Sequence, residues 1–120
     1  MISSGTPLDV HVERSSNGVS IVAIAGELDL NTIPRMEGPL HEQLDQRAAV
    51  LVDLSSLRFI DSSGIGVLIQ ASRRANGRPM KVLIGQDTQV ERVFRIAGIG
   101  QVLAVFTDRE QALSSLVGGS

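Results

Sequence analysis

Apolar and polar residues alternate along Leu8-Asp9-Val10-His11-Val12-Glu13, the pattern of a strand with one wet face. Residues 19–25 return as a strongly apolar strand. Between them Ser15-Ser16-Asn17-Gly18 is turn chemistry, so the pair predicts an antiparallel hairpin. Ile33, Met36, Leu40 and Leu44 then recur at helical spacing over about four turns, with Asn31 or Thr32 as the cap. Pro34 suits a first turn, whereas Gly38-Pro39 falls mid-pattern and is expected to kink or locally break the helix. Residues 43–47 read as its solvated end. Ala49-Val50-Leu51-Val52-Asp53-Leu54 is a short β-branched run suited to a strand buried in a sheet. Residues 65–75 predict a helix that stops at Asn76-Gly77, both tolerant of the left-handed conformation.

The pattern continues with a strand at Met80-Lys81-Val82-Leu83-Ile84 and a loop and cap at Gly85-Gln86-Asp87-Thr88. A helix follows with Val90, Val93, Phe94 and Ala97 inward, ending at Gly98. Residues 102–106 form a last strand, and Asp108 caps a helix with Ala112, Leu113 and Leu116 inward. The order is β-β-α-β-α-β-α-β-α: one α/β domain over residues 8–117, with loose tails at 1–7 and 118–120. It predicts a mixed, mostly parallel sheet with an N-terminal β-hairpin and helices mainly on one face. The charged alternation of the first strand, and Asp53 opposite Val52 and Leu54, predict a partly wet second face. The carboxyl ends of the parallel strands would collect Asp29, Asn31 and Thr32, then Asp61 and Ser62, then Gln86 and Asp87. Asp29 is expected there in an exposed loop, where loss of its carboxylate costs little stability.

Composition narrows the function classes. At 120 residues the chain holds one domain with a real core. A net charge of -2 offers no basic footprint for nucleic acid, and three Phe without Trp or Tyr give no stacking platform. Without cysteine there is no thiol nucleophile or disulfide frame. No leader or long apolar span signals export or membrane insertion, so the cytoplasm is expected.

The chemistry concentrates in Asp61-Ser62-Ser63-Gly64-Ile65-Gly66. Asp61 and Ser62 are capping types, and glycines in the first turn bare the backbone around Ser62 at a cost to the helix. From local chemistry the stretch reads either as an ordinary helix cap or as a place where another molecule comes close. Ile65, Leu68, Ile69, Ser72 and Ala75 share the inward side, while Val67 and Ala71 lie opposite with Ser63, Gln70 and Arg74. Val67 and Ala71 either cover neighbouring loops or form an apolar strip for a partner. Enzyme signatures are missing. Gly64-Ile65-Gly66 and Gly98-Ile99-Gly100 lack the third glycine of a dinucleotide loop. A nucleophile elbow needs glycine where Ile60 stands. The only histidines, His11 and His41, fall on an outer strand and mid-helix. Asp29 and Asp61 are the carboxylate pair chemically able to hold Mg²⁺. The chain does not read as a catalyst, and no cofactor and no metal are expected.

The stretch Leu54-Ser55-Ser56-Leu57-Arg58-Phe59-Ile60-Asp61-Ser62-Ser63-Gly64-Ile65-Gly66 resembles the core signature of anti-sigma factor antagonists, the STAS-domain family, and Gly26-Glu27-Leu28-Asp29 resembles its second block. The resemblance spans about residues 8–117. It implies a compact mixed sheet with helices, and phosphorylation of Ser62 by a partner anti-sigma factor that is also an ATP-binding serine/threonine kinase. Unmodified, the protein would bind that kinase and free a sigma factor; phosphorylated, it would let go until a serine phosphatase resets it. The expected partner face comprises Asp29, Asn31, Thr32, Asp61, Ser63, Gly64, Gly66, Val67, Gln70, Ala71 and Arg74, on a monomer or weak dimer. The alternative is a non-switching STAS scaffold or a small-ligand or nucleotide sensor, whose serine is only a cap.

Overall fold

In the computed structural model, which describes residues 8–46 and 49–117, β1 (Asp9–Arg14) and β2 (Ser20–Leu28) pair antiparallel across a turn in which Gly18 has a φ of 83°. Next come α1 (Ile33–Asp45), β3 (Val50–Leu54), β4 (Leu57–Ile60) and α2 (Ser62–Ala75). The chain closes with β5 (Met80–Ile84), α3 (Gln89–Ala97), a 3₁₀ turn at Ile99–Gln101, β6 (Ala104–Phe106) and α4 (Arg109–Val117). The tails expected at 1–7 and 118–120, and Arg47 of the expected solvated helix end, lie outside the described residues; Gln43 and Leu44 of that end are buried, with the Ser20 hydroxyl donating to Gln43 Oε1 at 2.8 Å.

The sheet runs β1-β2-β3-β5-β6, with every pair after the hairpin parallel. The strand β4 was not expected. It pairs parallel with the upper half of β2, so β2 leaves β3 after Ala23 and takes β4 from Gly26 onward. A register shift between Gly26 and Glu27, with Gly26 at a φ of 111°, makes the change of partner possible. β4 escaped the periodicity because Leu57 and Ile60 are buried while Arg58 and Phe59 are exposed, which is not a period of two.

The helices α1, α2 and α3 cover one face, where Val22, Ile24 and Leu28 meet Val52, Leu54, Met36, Leu40, Leu68 and Phe94. On the other face α4 lays Ala112 and Leu116 over Val19, Ile21, Leu51 and Leu83. All five residues of β3 are buried, as expected for a strand covered on both sides. Asp53 is therefore not wet: it is 8% exposed, accepts from the Ser55 N–H and hydroxyl at 2.9 and 2.6 Å, and meets Arg109 of α4 at 3.0 Å. The expected break in α1 is absent as well. Pro39 sits inside a continuous helix, and the carbonyl it leaves without a donor belongs to Arg35, an exposed residue.

Candidate functional site

The β2–β4 register brings two loops side by side. Leu28 pairs with Ile60, and the Asp61 N–H donates to the Leu28 carbonyl at 3.4 Å, so the segments beginning at Asp29 and Asp61 leave the sheet together. Asp61 is the N-cap of α2. Its Oδ1 accepts from the Ser63 N–H at 3.0 Å, the Ser63 hydroxyl at 2.6 Å and the Gly64 N–H at 3.2 Å. The Ser63 hydroxyl, followed by these backbone N–H groups, holds the carboxyl below its ordinary range. Ser62, the first residue of α2, is exposed, and its hydroxyl makes no hydrogen bond among the described residues. The two adjacent serines thus differ: one hydroxyl is tied down and the other is presented to solvent.

Asp29 is more structural than its expected exposed loop implied. Its Oδ1 accepts from the N–H groups of Asn31 and Thr32 at 2.9 and 3.2 Å, and the Thr32 hydroxyl donates to the Glu27 carbonyl at 2.8 Å. Asp29 therefore sets the turn into α1, whereas the side chain of Thr32, the N-cap, accepts no bond from the first turn of the helix. Asn31 is exposed in this turn, beside Leu30, an apolar side chain 74% exposed.

The glycines of α2 have separate reasons. A Cβ on Gly64 would stand 2.7 Å from Ile60 Cγ1 and 3.1 Å from Leu28 Cγ, so Gly64 lets α2 seat on the sheet. A Cβ on Gly66 would meet nothing within 4 Å. Gly66 lies one turn beyond Ser62, and Gln70 one turn further is exposed, so these three positions share an outward stripe. Val67 and Ala71 do not belong to it. Both are buried in the core on the helix-covered face, so the apolar strip expected on the outer face of α2 lies inside the domain. Ile65, Leu68 and Ala75 are buried as their spacing implied, and because α1 packs against α2 from the side the helix buries a wider arc that takes in Val67 and Ala71 as well. Arg74 is exposed and forms a two-point ion pair with Asp45 of α1, at 3.0 and 2.7 Å.

The loop after β5 keeps Gln86 and Asp87 exposed, with the Asp87 N–H donating to Glu91. It is linked to the Ser62 segment through Gln89, whose amide bonds both backbone groups of Ile60. Gln89, Leu30 and the half-exposed Phe59 were not expected at the site. Leu30 extends the apolar alternation of β2 and would read as inward; the Asp29 turn ends the strand first. Nothing in a sequence pattern marks the partner of a glutamine amide. Among the described residues no group of three or more acidic or histidine side chains is placed to hold a metal, and no helix is long and apolar enough to cross a membrane.

A family model described as the STAS domain matches residues 12–112. The anti-sigma-F factor antagonist RsfB of Mycobacterium tuberculosis is 27% identical over 104 residues, covering 86% of this chain and 85% of that one. The crystal structure of an anti-sigma factor antagonist from Mycobacterium paratuberculosis superposes with a TM-score of 0.84 at 22% identity, covering 91% of this chain and 93% of the other. The unphosphorylated form of the anti-sigma factor antagonist SpoIIAA gives 0.72 at 21% identity, covering 92% and 97%; the Bacillus protein has also been solved phosphorylated.

Proposed function

The chain belongs to the STAS domain family, and on that premise we propose that it is an anti-sigma factor antagonist switched by phosphorylation of Ser62. Unmodified, it binds an anti-sigma factor that is also an ATP-dependent serine/threonine kinase, and the sigma factor is released. That kinase then phosphorylates Ser62 and the complex separates; a serine phosphatase restores the binding form. The protein is a regulatory substrate rather than an enzyme, acting in the cytoplasm as a monomer or weak dimer. The observation that carries this reading is the free, exposed hydroxyl of Ser62 on the first residue of α2, beside a Ser63 hydroxyl engaged by Asp61. The names of the relatives supply the class of partner.

The partner face in this reading is Asp29, Asn31, Thr32, Asp61 and Ser63 around Ser62, with Gly66 and Gln70 along α2. Arg74 joins its far end. Gly64, Val67 and Ala71 support this face from within. Immobilised unmodified protein should retain the cognate anti-sigma kinase from a lysate of the source organism. After ATP is added, mass spectrometry should find phosphate on Ser62, and titration calorimetry should show weaker binding by the modified form. Phosphate on Ser63, or equal affinity of the two forms, would overturn the proposal.

A further inference from the structure

We propose that Gln89 is a positioning residue for Ser62, its amide fixing both backbone groups of Ile60, the last residue of β4, so that the Ser62 hydroxyl is offered in one place. This rests on the reading of Ser62 as phospho-acceptor. β4 is flanked by a strand on one side only, because β3 pairs with β5 and leaves the outer edge of β4 to the start of α3. Gln89, the first residue of α3, closes that edge. The Ile60 N–H donates to Gln89 Oε1 at 3.0 Å, and Gln89 Nε2 donates to the Ile60 carbonyl at 3.0 Å. One side chain thus stands in for one residue of a neighbouring strand.

Gln89 is itself held in place. The Thr88 hydroxyl accepts from the Glu91 N–H at 3.0 Å and donates to the Gly85 carbonyl at 2.9 Å, and Val90 is fully buried. No other side chain among the described residues hydrogen-bonds the backbone of β4, and Ile60 is followed at once by Asp61 and Ser62. Phosphorylation forms a bond from Ser62 Oγ to the γ-phosphorus of the partner's ATP and breaks the bond from that phosphorus to the β–γ bridging oxygen. ADP leaves, and the hydroxyl proton passes to a base on the kinase. An in-line transfer of this kind is sensitive to misplacement of the attacking oxygen.

The test uses the full chain, its cognate kinase and ATP. Gln89→Met keeps length and drops both bonds; Gln89→Glu keeps the acceptor and loses the donor. With each variant held below its melting transition, kcat for Ser62 phosphorylation should fall by about tenfold or more for Gln89→Met. It should fall less for Gln89→Glu. KM should stay within about twofold, because Asn31, Gly66 and Gln70 are untouched. A residue that only stabilised the fold would change neither constant once folded. Wild-type kcat in folded Gln89→Met, or a rise in KM alone, overturns the proposal. If Gln89→Met does not fold, wild-type kcat in Gln89→Glu does so. Wild-type protein left without phosphate on Ser62 would instead sink the functional reading, and this role with it.

Discussion

Asp61 and Asp29 each use one carboxylate oxygen to organise a chain reversal, and both reversals border Ser62. Removing the Asp61 side chain strands the Ser63 and Gly64 N–H groups, so Asp61→Ala should cost about 1 kcal/mol, within the range of lost N-caps. In a domain of this size that lowers the melting temperature by about 4 °C. The same contacts give a pH dependence. The folded pKa of Asp61 lies below its unfolded value, so the contribution is complete above the ordinary carboxylate value of about 3.9 and is lost as pH falls through the folded value. Asp61→Asn should flatten that acid limb of a stability–pH curve; an unchanged limb would show that other carboxylates dominate it. Asp29 allows a cleaner separation. Asp29→Ala should cost about 1 kcal/mol through the Asn31 and Thr32 N–H groups, whereas Asp29→Asn keeps an acceptor and should melt close to wild type. If Asp29→Asn still binds the kinase several-fold more weakly, measured by calorimetry, its charge serves the partner; equal binding would leave Asp29 a turn residue only.

At the scale of elements, the two glycines of α2 predict opposite outcomes. Gly64→Ala should destabilise by about 1–3 kcal/mol, because its methyl has no room against the buried Ile60 and Leu28. Gly66→Ala has open space and an ordinary φ, so it should stabilise the helix by about 0.5–1 kcal/mol. If Gly66 persists for the partner, Gly66→Ala should melt higher yet bind the kinase less tightly; higher stability with unchanged binding would remove Gly66 from the partner face. Both positions were legible in the sequence as glycines at a helix start, but not their different reasons, because a close approach across the β2–β4 seam is invisible to local spacing. The same boundary runs through the rest of the fold. The hairpin, a cap at Asp61-Ser62 and a stop at Asn76-Gly77 follow from local chemistry; the structure has the hairpin, places the cap on Asp61 rather than Ser62, and ends α2 at Asn76. Val67 and Ala71 were placed outward because Ile65, Leu68 and Ile69 define a stripe. A helix touching both a sheet and α1 buries a wider arc than one stripe. β4 and Gln89 depend on which segments meet across the sheet, and four residues of mixed polarity do not carry that information.

For the molecule as a whole, the proposed switch works by charge and bulk without refolding. A phosphoserine adds about -1.5 to -2 charge at pH 7. At the first residue of a helix that charge is tolerated by the dipole, so the fold has little reason to melt. Nor does it gain much. The Ser63 and Gly64 N–H groups are already taken by Asp61, and the Ile65 N–H by the Asp61 carbonyl, so few free donors remain. The Asp61 carboxylate, held in its charged form, also repels the phosphate. The two effects oppose, and the melting temperature of the phosphorylated protein should stay near that of the unmodified one. The proposed complex offers no such balance, because the phosphate would be desolvated against the ATP-binding partner proposed above. A loss of about 3 kcal/mol there weakens binding on the order of a hundredfold, since about 1.4 kcal/mol is tenfold. Ser62→Ala should therefore bind constitutively, and Ser62→Asp should bind weakly with a near-native melting curve. Amide spectra on phosphorylation should change around residues 29–32, 60–67 and 85–89, the loops joined by the β2–β4 register and the Gln89 amide. Changes spread across β3, β5 and α4, or a collapsed melting transition, would replace this local switch with a conformational one.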